Sequence, residues 1–183
     1  MKAFKSILYL SVIFFVSSCF EIVEQVKINK DGSGDLKLIM NMSQSKTKLK
    51  SIMLMEKVNG YRVPKKDEIK SETKQLVSLA NSVDGITEAN VINDFDNYIF
   101  TFSCSFKNTA ALNEMIYVLA KSKDKKDVVK KEDYLTYDVT SKKVKRNFDF
   151  LWKEKYQQLK SEDKEVFESA TYTAIYRFDE TIE

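Results

Sequence analysis

Strict two-residue alternation limits what this chain can fold into more than any other feature. Tyr98, Phe100, Phe102, Cys104 and Phe106 alternate with Ile99, Thr101, Ser103 and Ser105. Successive side chains of a strand point to opposite faces, so this run sets an aromatic face against a mainly polar one. The same period recurs in Leu36, Leu38, Met40 and Met42, and in Tyr172, Ala174, Tyr176 and Phe178. Residues 20–28 are also β-rich, and Asn29-Lys30-Asp31-Gly32-Ser33-Gly34 follows them. Glycines there supply the positive φ that a hairpin needs, so residues 20–28 and the strand around Leu36–Met42 are expected to pair. Two more strand pairs are expected: residues 86–93 with 98–106, and residues 134–139 with 143–150 around Ser141-Lys142.

Helical periods fill the intervals. Residues 43–58 present Leu49, Ile52 and Met53 as one stripe, with Asn59-Gly60 as the stop. Residues 66–83 carry Ile69, Leu76, Val77, Ala80 and Val83 at helical spacing before Asp84-Gly85. Asn108 or Thr109 can cap a helix to about residue 121 with Leu112, Met115, Ile116 and Leu119 inward. Residues 121–133 read as a mixed-charge loop, and residues 151–169 as a last helix. Strand pairs interleaved with helices predict an α+β fold, an antiparallel sheet built from hairpins with helices packed on one face.

The N-terminus has a different character. Lys2 and Lys5 precede an apolar stretch over residues 7–16, and two serines lead to Cys19. This is the layout of an export signal, and the apolar stretch falls short of the ~20 residues of a membrane span. Val16-Ser17-Ser18-Cys19 resembles the lipobox of bacterial lipoproteins, with an aliphatic residue three before the cysteine and small residues between. The resemblance implies cleavage after Ser18, lipidation of Cys19 and a membrane partner through that anchor. An ordinary signal-peptidase site is the alternative, because Val16 and Ser18 loosely fit its two small positions. Residues 1–18 are thus expected to be a cleaved signal peptide and residues 19–183 a single envelope domain.

Residues 20–55, with the Asn-Lys-Asp-Gly-Ser-Gly turn and Ser43-Gln44-Ser45-Lys46, resemble lipoproteins of Bacteroidetes-type Gram-negative bacteria. That resemblance carries no activity or functional residue with it. Phe20 follows Cys19 where an aspartate would favour inner-membrane retention, and no acidic run of the surface-lipoprotein kind adjoins the cysteine. The implied location is the outer membrane, facing the periplasm. No Gly, Ser or acidic linker separates Cys19 from the first strand, which places the domain close against the bilayer.

Composition narrows the function classes. The 183 residues less the first 18 leave 165, ordinary for one domain. Lys2 and Lys5 belong to the signal, so the mature chain holds 28 basic and 27 acidic residues, a net charge of +1. That balance and an exported compartment disfavour a nucleic-acid partner. With Cys19 lipidated, Cys104 has no disulfide partner and is expected to be a buried, inert thiol. The chain has no histidine, which removes the commonest general base and the usual zinc sites. No phosphate-binding Gly-rich loop occurs, and no pair of carboxylates stands out, so no catalytic residue and no cofactor is expected.

Asn29, Asp31 and Ser33 stand at oxygen-ligand positions of a partial EF-hand loop, but Met40 occupies the place of the bidentate glutamate. A structural hairpin turn is the expected role. Met40, Met42, Met53 and Met55 raise a copper site, but core packing explains them more simply. Lys46, Lys48 and Lys50 form one of several basic runs, and near anionic headgroups a lysine is worth ~1 kcal/mol. The expected function is a non-enzymatic interaction or structural module that contacts an envelope protein. The alternative is a binding protein for a lipid or other apolar ligand, suggested by the aromatic strand faces. A cavity of ~300 Å³ or more would favour the second.

Overall fold

A computed structural model describes residues 20–123, 131, 133–147, 156–157, 160–161, 164, 170–179 and 181. The alternating runs form strands where expected: β1 (Glu21–Ile28), β2 (Gly34–Asn41), β5 (Ile86–Asp94), β6 (Ile99–Phe106) and β9 (Thr171–Phe178). They build one five-stranded sheet in the order β5-β6-β2-β1-β9. The helices are α1 (Lys46–Ile52), α2 (Lys66–Asn81) and α3 (Thr109–Lys123), with a 3₁₀ turn at Ser43–Ser45 before α1. Short hairpins β3–β4 (Lys57–Val58, Tyr61–Arg62) and β7–β8 (Leu135–Asp138, Lys143–Arg146) complete an α+β fold.

Register fixes which side chains share a face. Ile22, Glu24, Val26 and Ile28 of β1 lie opposite Met40, Leu38, Leu36 and Gly34 of β2. Across β2 the same rows continue into Phe100, Phe102, Cys104 and Phe106, and on the other side of β1 into Tyr172, Ala174, Tyr176 and Phe178. This face carries the core. Val26, Ile28, Cys104 and Phe106 pack with Ala80 and Val83 from the α2 end, Leu112 and Met115 from α3, and Leu135 from β7. Leu112 is wholly buried, a contribution of about 1.5–3 kcal/mol for one such side chain. The opposite face, with Val23, Ile39, Thr101 and Ile92 in one row, is more open, and Ile92 is exposed.

Two expectations are corrected. The sheet is mixed and not wholly antiparallel, because β9 runs parallel to β1 along its full length. Alternation sets the faces of a strand but carries no information about its direction. The helix expected over residues 43–58 ends at Ile52. Asn59 and Gly60, with φ of 51° and 84°, form the tip of the β3–β4 hairpin in place of a helix stop. Positive φ at both central residues suits a two-residue hairpin loop, and Asn-Gly is its favoured sequence.

Two further elements carry clear local causes. Glu68 Oε2 accepts from the Lys65 backbone N–H at 2.8 Å and so satisfies one donor at the start of α2. Asn108 Oδ1 accepts from the Ala111 N–H at 2.9 Å and caps α3. The helix expected over residues 151–169 and the strand end at residues 148–150 fall largely or wholly outside the described residues.

Candidate functional site

Glu24 is the anomaly from which the site is built. It sits inward on β1 between Ile22 and Val26 and is 5% exposed. A carboxylate there must be paired and hydrogen-bonded to remain charged. Its partners come from distant parts of the chain. Arg146 at the end of β8 donates from Nη2 to Glu24 Oε2 at 3.1 Å. Tyr172 donates to the same oxygen, and Tyr176 donates to Oε1. Tyr172 and Tyr176 lie one row either side of Ala174, the β9 residue opposite Glu24, so the parallel β1–β9 register brings both hydroxyls to one carboxylate.

Three tyrosine rings surround the guanidinium. Arg146 Cζ stands 5.3 Å from the ring centres of Tyr134 and Tyr172 and 5.8 Å from that of Tyr176. Its Nε donates to Tyr134 OH at 3.4 Å, and it also donates to Tyr172 OH. Tyr134 OH is in turn 3.4 Å from Tyr176 OH. Each ring attracts the cation through its negative face while each hydroxyl joins the polar network.

Burial alone would raise the Glu24 pKa. The hydrogen bonds from Tyr134, Tyr172 and Tyr176, with the Arg146 charge, outweigh it and hold the carboxyl below its ordinary range. Burial and the Glu24 carboxylate push all three tyrosine hydroxyls up. Burial disfavours the Arg146 cation, but Tyr134 and Glu24 more than offset it. At neutral pH the cluster is therefore a fixed ion pair ringed by protonated phenols.

An apolar cavity of about 270 Å³ adjoins the cluster. Ile22, Leu36, Leu38, Met40 and Ile116 form its apolar wall, with Glu24, Tyr134, Arg146, Asn147 and Tyr172 on the polar side. Leu38, Met40 and Tyr172 keep 38%, 40% and 47% of their surface exposed, although they share the face that carries the core elsewhere. The core thus fills one end of this face, and the cavity occupies the other, the end at which β1 begins.

The residues singled out from sequence are dispersed. Cys19 lies outside the described residues. Asn29, Asp31 and Ser33 form the β1–β2 turn at the opposite end of the sheet. Asp31 Oδ1 accepts from Ser33 Oγ at 2.6 Å and from the Ser33 N–H at 3.0 Å, and Asn29 Nδ2 donates to Ser33 Oγ at 2.9 Å. Their side chains are turned on one another. Met40 lines the cavity, Met42 falls just past the end of β2, and Met53 lines a separate cleft beside α1. Cys104 is buried with its Sγ 3.8 Å from Met115 Sδ, and burial pushes its thiol up to about 12. Among the described residues, no three His, Cys, Asp or Glu side chains are grouped to hold a metal ion.

Sequence reasoning reads Glu24, with Glu21, as part of an ordinary turn or solvated face, which its burial corrects. It gives no individual role to Tyr134, Arg146, Tyr172 or Tyr176, although the aromatic face of the last strand is one ground for an apolar pocket. One signal was present: Glu24 interrupts the inward series Ile22, Val26, Ile28. No protein-family model, curated protein or solved structure matches the chain.

Proposed function

We propose that this chain is a lipid-anchored protein of the bacterial cell envelope that works by binding and not by catalysis. Cys19 carries the anchor after removal of residues 1–18, and the domain faces the periplasm from the outer membrane. The ligand is an apolar group, taken up by the cavity between the β1–β2 wall and the Glu24–Arg146 cluster. The observation that carries this reading is the composition of that wall, with five aliphatic or thioether side chains facing a cavity at the end of the sheet where β1 begins. Its volume of about 270 Å³ falls below the ~300 Å³ mark of usual ligand sites, so the reading rests on the composition of the wall and not on size. The occupant is a small apolar group or part of an acyl chain. The fixed Glu24–Arg146 pair gives one side of the cavity a rigid polar boundary and supplies no group that changes charge near neutral pH.

A second reading, contact with an envelope protein, is supported by the open sheet face, where exposed Ile92 ends the row from Val23 through Ile39 and Thr101.

Both parts of the proposal can be tested on the full chain. Fatty-acid labelling in bacteria should mark the native protein and not Cys19→Ser. A fluorescent fatty acid should bind the native protein saturably, and Leu38→Trp, which fills the cavity from a half-exposed position, should abolish binding without lowering stability. Absence of saturable binding, or binding unchanged by Leu38→Trp, refutes the ligand site.

A further inference from the structure

Residues 46–66 hold seven basic side chains and one acidic, Glu56, a net charge of +6. The mature chain as a whole is net +1, so everything outside this segment is net −5. The charge of the protein is therefore strongly polarised in sequence, and the fold decides where the positive pole sits.

Register places it at the end of the sheet where β1 begins. Glu21, the first residue of β1, pairs with Asn41, the last of β2, so the chain leaves the sheet into residues 42–65 beside the point where β1 enters it. The Met42 N–H bonds Tyr98 O at 3.0 Å, and Lys46 Nζ donates to Asn97 Oδ1 at 3.3 Å. Both fix the segment against the β5–β6 turn, which belongs to the same end. Lys66 and Lys70, at the start of α2, stand 5.5 and 5.8 Å from the Phe95 ring in that turn.

The pole is amphipathic as well as basic. Leu54 is 89% exposed, Met55 52% and Tyr61 57%, and a further cation, Lys160 Nζ, stands 5.5 Å from the centre of the Tyr61 ring. Beside them Lys50, Lys65 and Lys66 line a cleft of about 410 Å³ with Met53, Leu54 and Tyr98. Exposed large apolar side chains interspersed with lysines are the composition of an interfacial membrane contact. Only Phe20 separates Cys19 from Glu21, and the two residue steps reach about 7 Å when fully extended.

We infer that residues 46–66 form a second membrane contact, in which Leu54, Met55 and Tyr61 enter the interface of an anionic bilayer while Lys50, Lys65 and Lys66 hold its phosphate headgroups. The inference rests on the anchor at Cys19 only for orientation. The tether holds this end of the sheet at the bilayer, and the contact turns the tethered domain to one fixed attitude. The same attitude brings the mouth of the Ile22–Met40–Tyr172 end of the cavity toward the lipid.

The test uses the full chain, purified from bacteria and placed in vesicles with or without phosphatidylglycerol. Leu54→Cys carries an environment-sensitive fluorophore. Lys30→Cys serves as control, because the β1–β2 turn stands roughly 25 Å away along the strands. Buried Cys104 does not react, and an acylated Cys19 is blocked. The emission at position 54 should move to the blue in phosphatidylglycerol vesicles, and that at position 30 should not. Neutralising Lys50, Lys65 and Lys66 together by Lys→Gln should weaken the contact about a hundredfold, at about fivefold per lysine. All three lysines are exposed, and melting curves establish that the variants fold. An unshifted position 54 on an acylated chain overturns the contact and leaves the anchor standing. Equal shifts at both positions, or a shift indifferent to phosphatidylglycerol and to the three substitutions, also overturn it. Absence of the acyl group is read separately by mass, and it removes the anchor and the orientation together.

Discussion

Arg146→Met should destabilise this protein by about 3 kcal/mol at pH 7, the lower end of the ~3–5 kcal/mol for breaking a buried ion pair from one side. The Glu24 and Arg146 side chains are 6% and 11% exposed, so water screens the pair little. Without the guanidinium, Glu24 keeps its charge in a buried position and loses the cation that, among the described residues, is paired with it. Tyr172 and Tyr176 continue to donate to both carboxylate oxygens, which keeps the loss at the lower end of the range. For a domain of this size each kcal/mol moves the midpoint by about 2–4 °C, so the melting temperature should fall by about 6–12 °C.

The second arm of the experiment separates charge from packing. Glu24→Gln combined with Arg146→Met removes both charges and leaves an amide oxygen as acceptor for the tyrosine hydroxyls. A buried pair replaced as a whole costs far less than a pair broken on one side, so the double variant should be about 2 kcal/mol more stable than Arg146→Met alone. Urea unfolding of both variants and the native chain at pH 7, with equal slopes, gives the comparison. At pH 4 the deficit of Arg146→Met should shrink, because a carboxyl without its cation protonates more readily. A loss under about 1 kcal/mol for Arg146→Met, or a double variant no more stable than the single, would refute the claim that Glu24 is ionised and held by the pair.

Three further outcomes follow from the same structure. Glu24 is held below its ordinary 4.5, so its contribution is complete above pH 4.5 and drains away as pH falls toward the folded-state value; melts from pH 6 to pH 2 should decline more steeply for the native chain than for Glu24→Gln. Cys104, buried and with its thiol at about 12, should resist thiol reagents in the native protein and react fully in urea, and rapid native labelling would show β6 to be frayed. Gly34→Ala should cost about 3 kcal/mol or more by urea unfolding, because the added Cβ would stand 1.9 Å from Lys27 O and 2.6 Å from the Phe106 ring, backbone and core atoms that cannot swing away.

How much of this was legible in the sequence depends on the range over which each feature is encoded. The strands were readable because alternation is local: Phe100 to Phe106 names its own faces, and the structure keeps them. Asn59-Gly60 was readable as a break but not as a hairpin tip, since the same positive-φ residues end helices and turn hairpins. The distinction lay in the two-residue strands on either side, too short to show a period. The direction of β9 was not encoded locally at all. It follows from pairing with β1 across the whole domain, and that pairing creates the site. Glu24 on the first strand and Tyr172 and Tyr176 on the last are 148 and 152 positions apart, and Arg146 is 122 from Glu24. Each taken alone looks ordinary: a charged residue near a terminus, two aromatics on an alternating face, a basic residue closing a basic run. Only Glu24 gives itself away, as the one ionisable group in the inward series of β1. A buried carboxylate demands donors from somewhere, so a reader who stops at that exception can infer that partners exist. Which residues they are is decided by the parallel register of the first and last strands, and no local pattern carries that information.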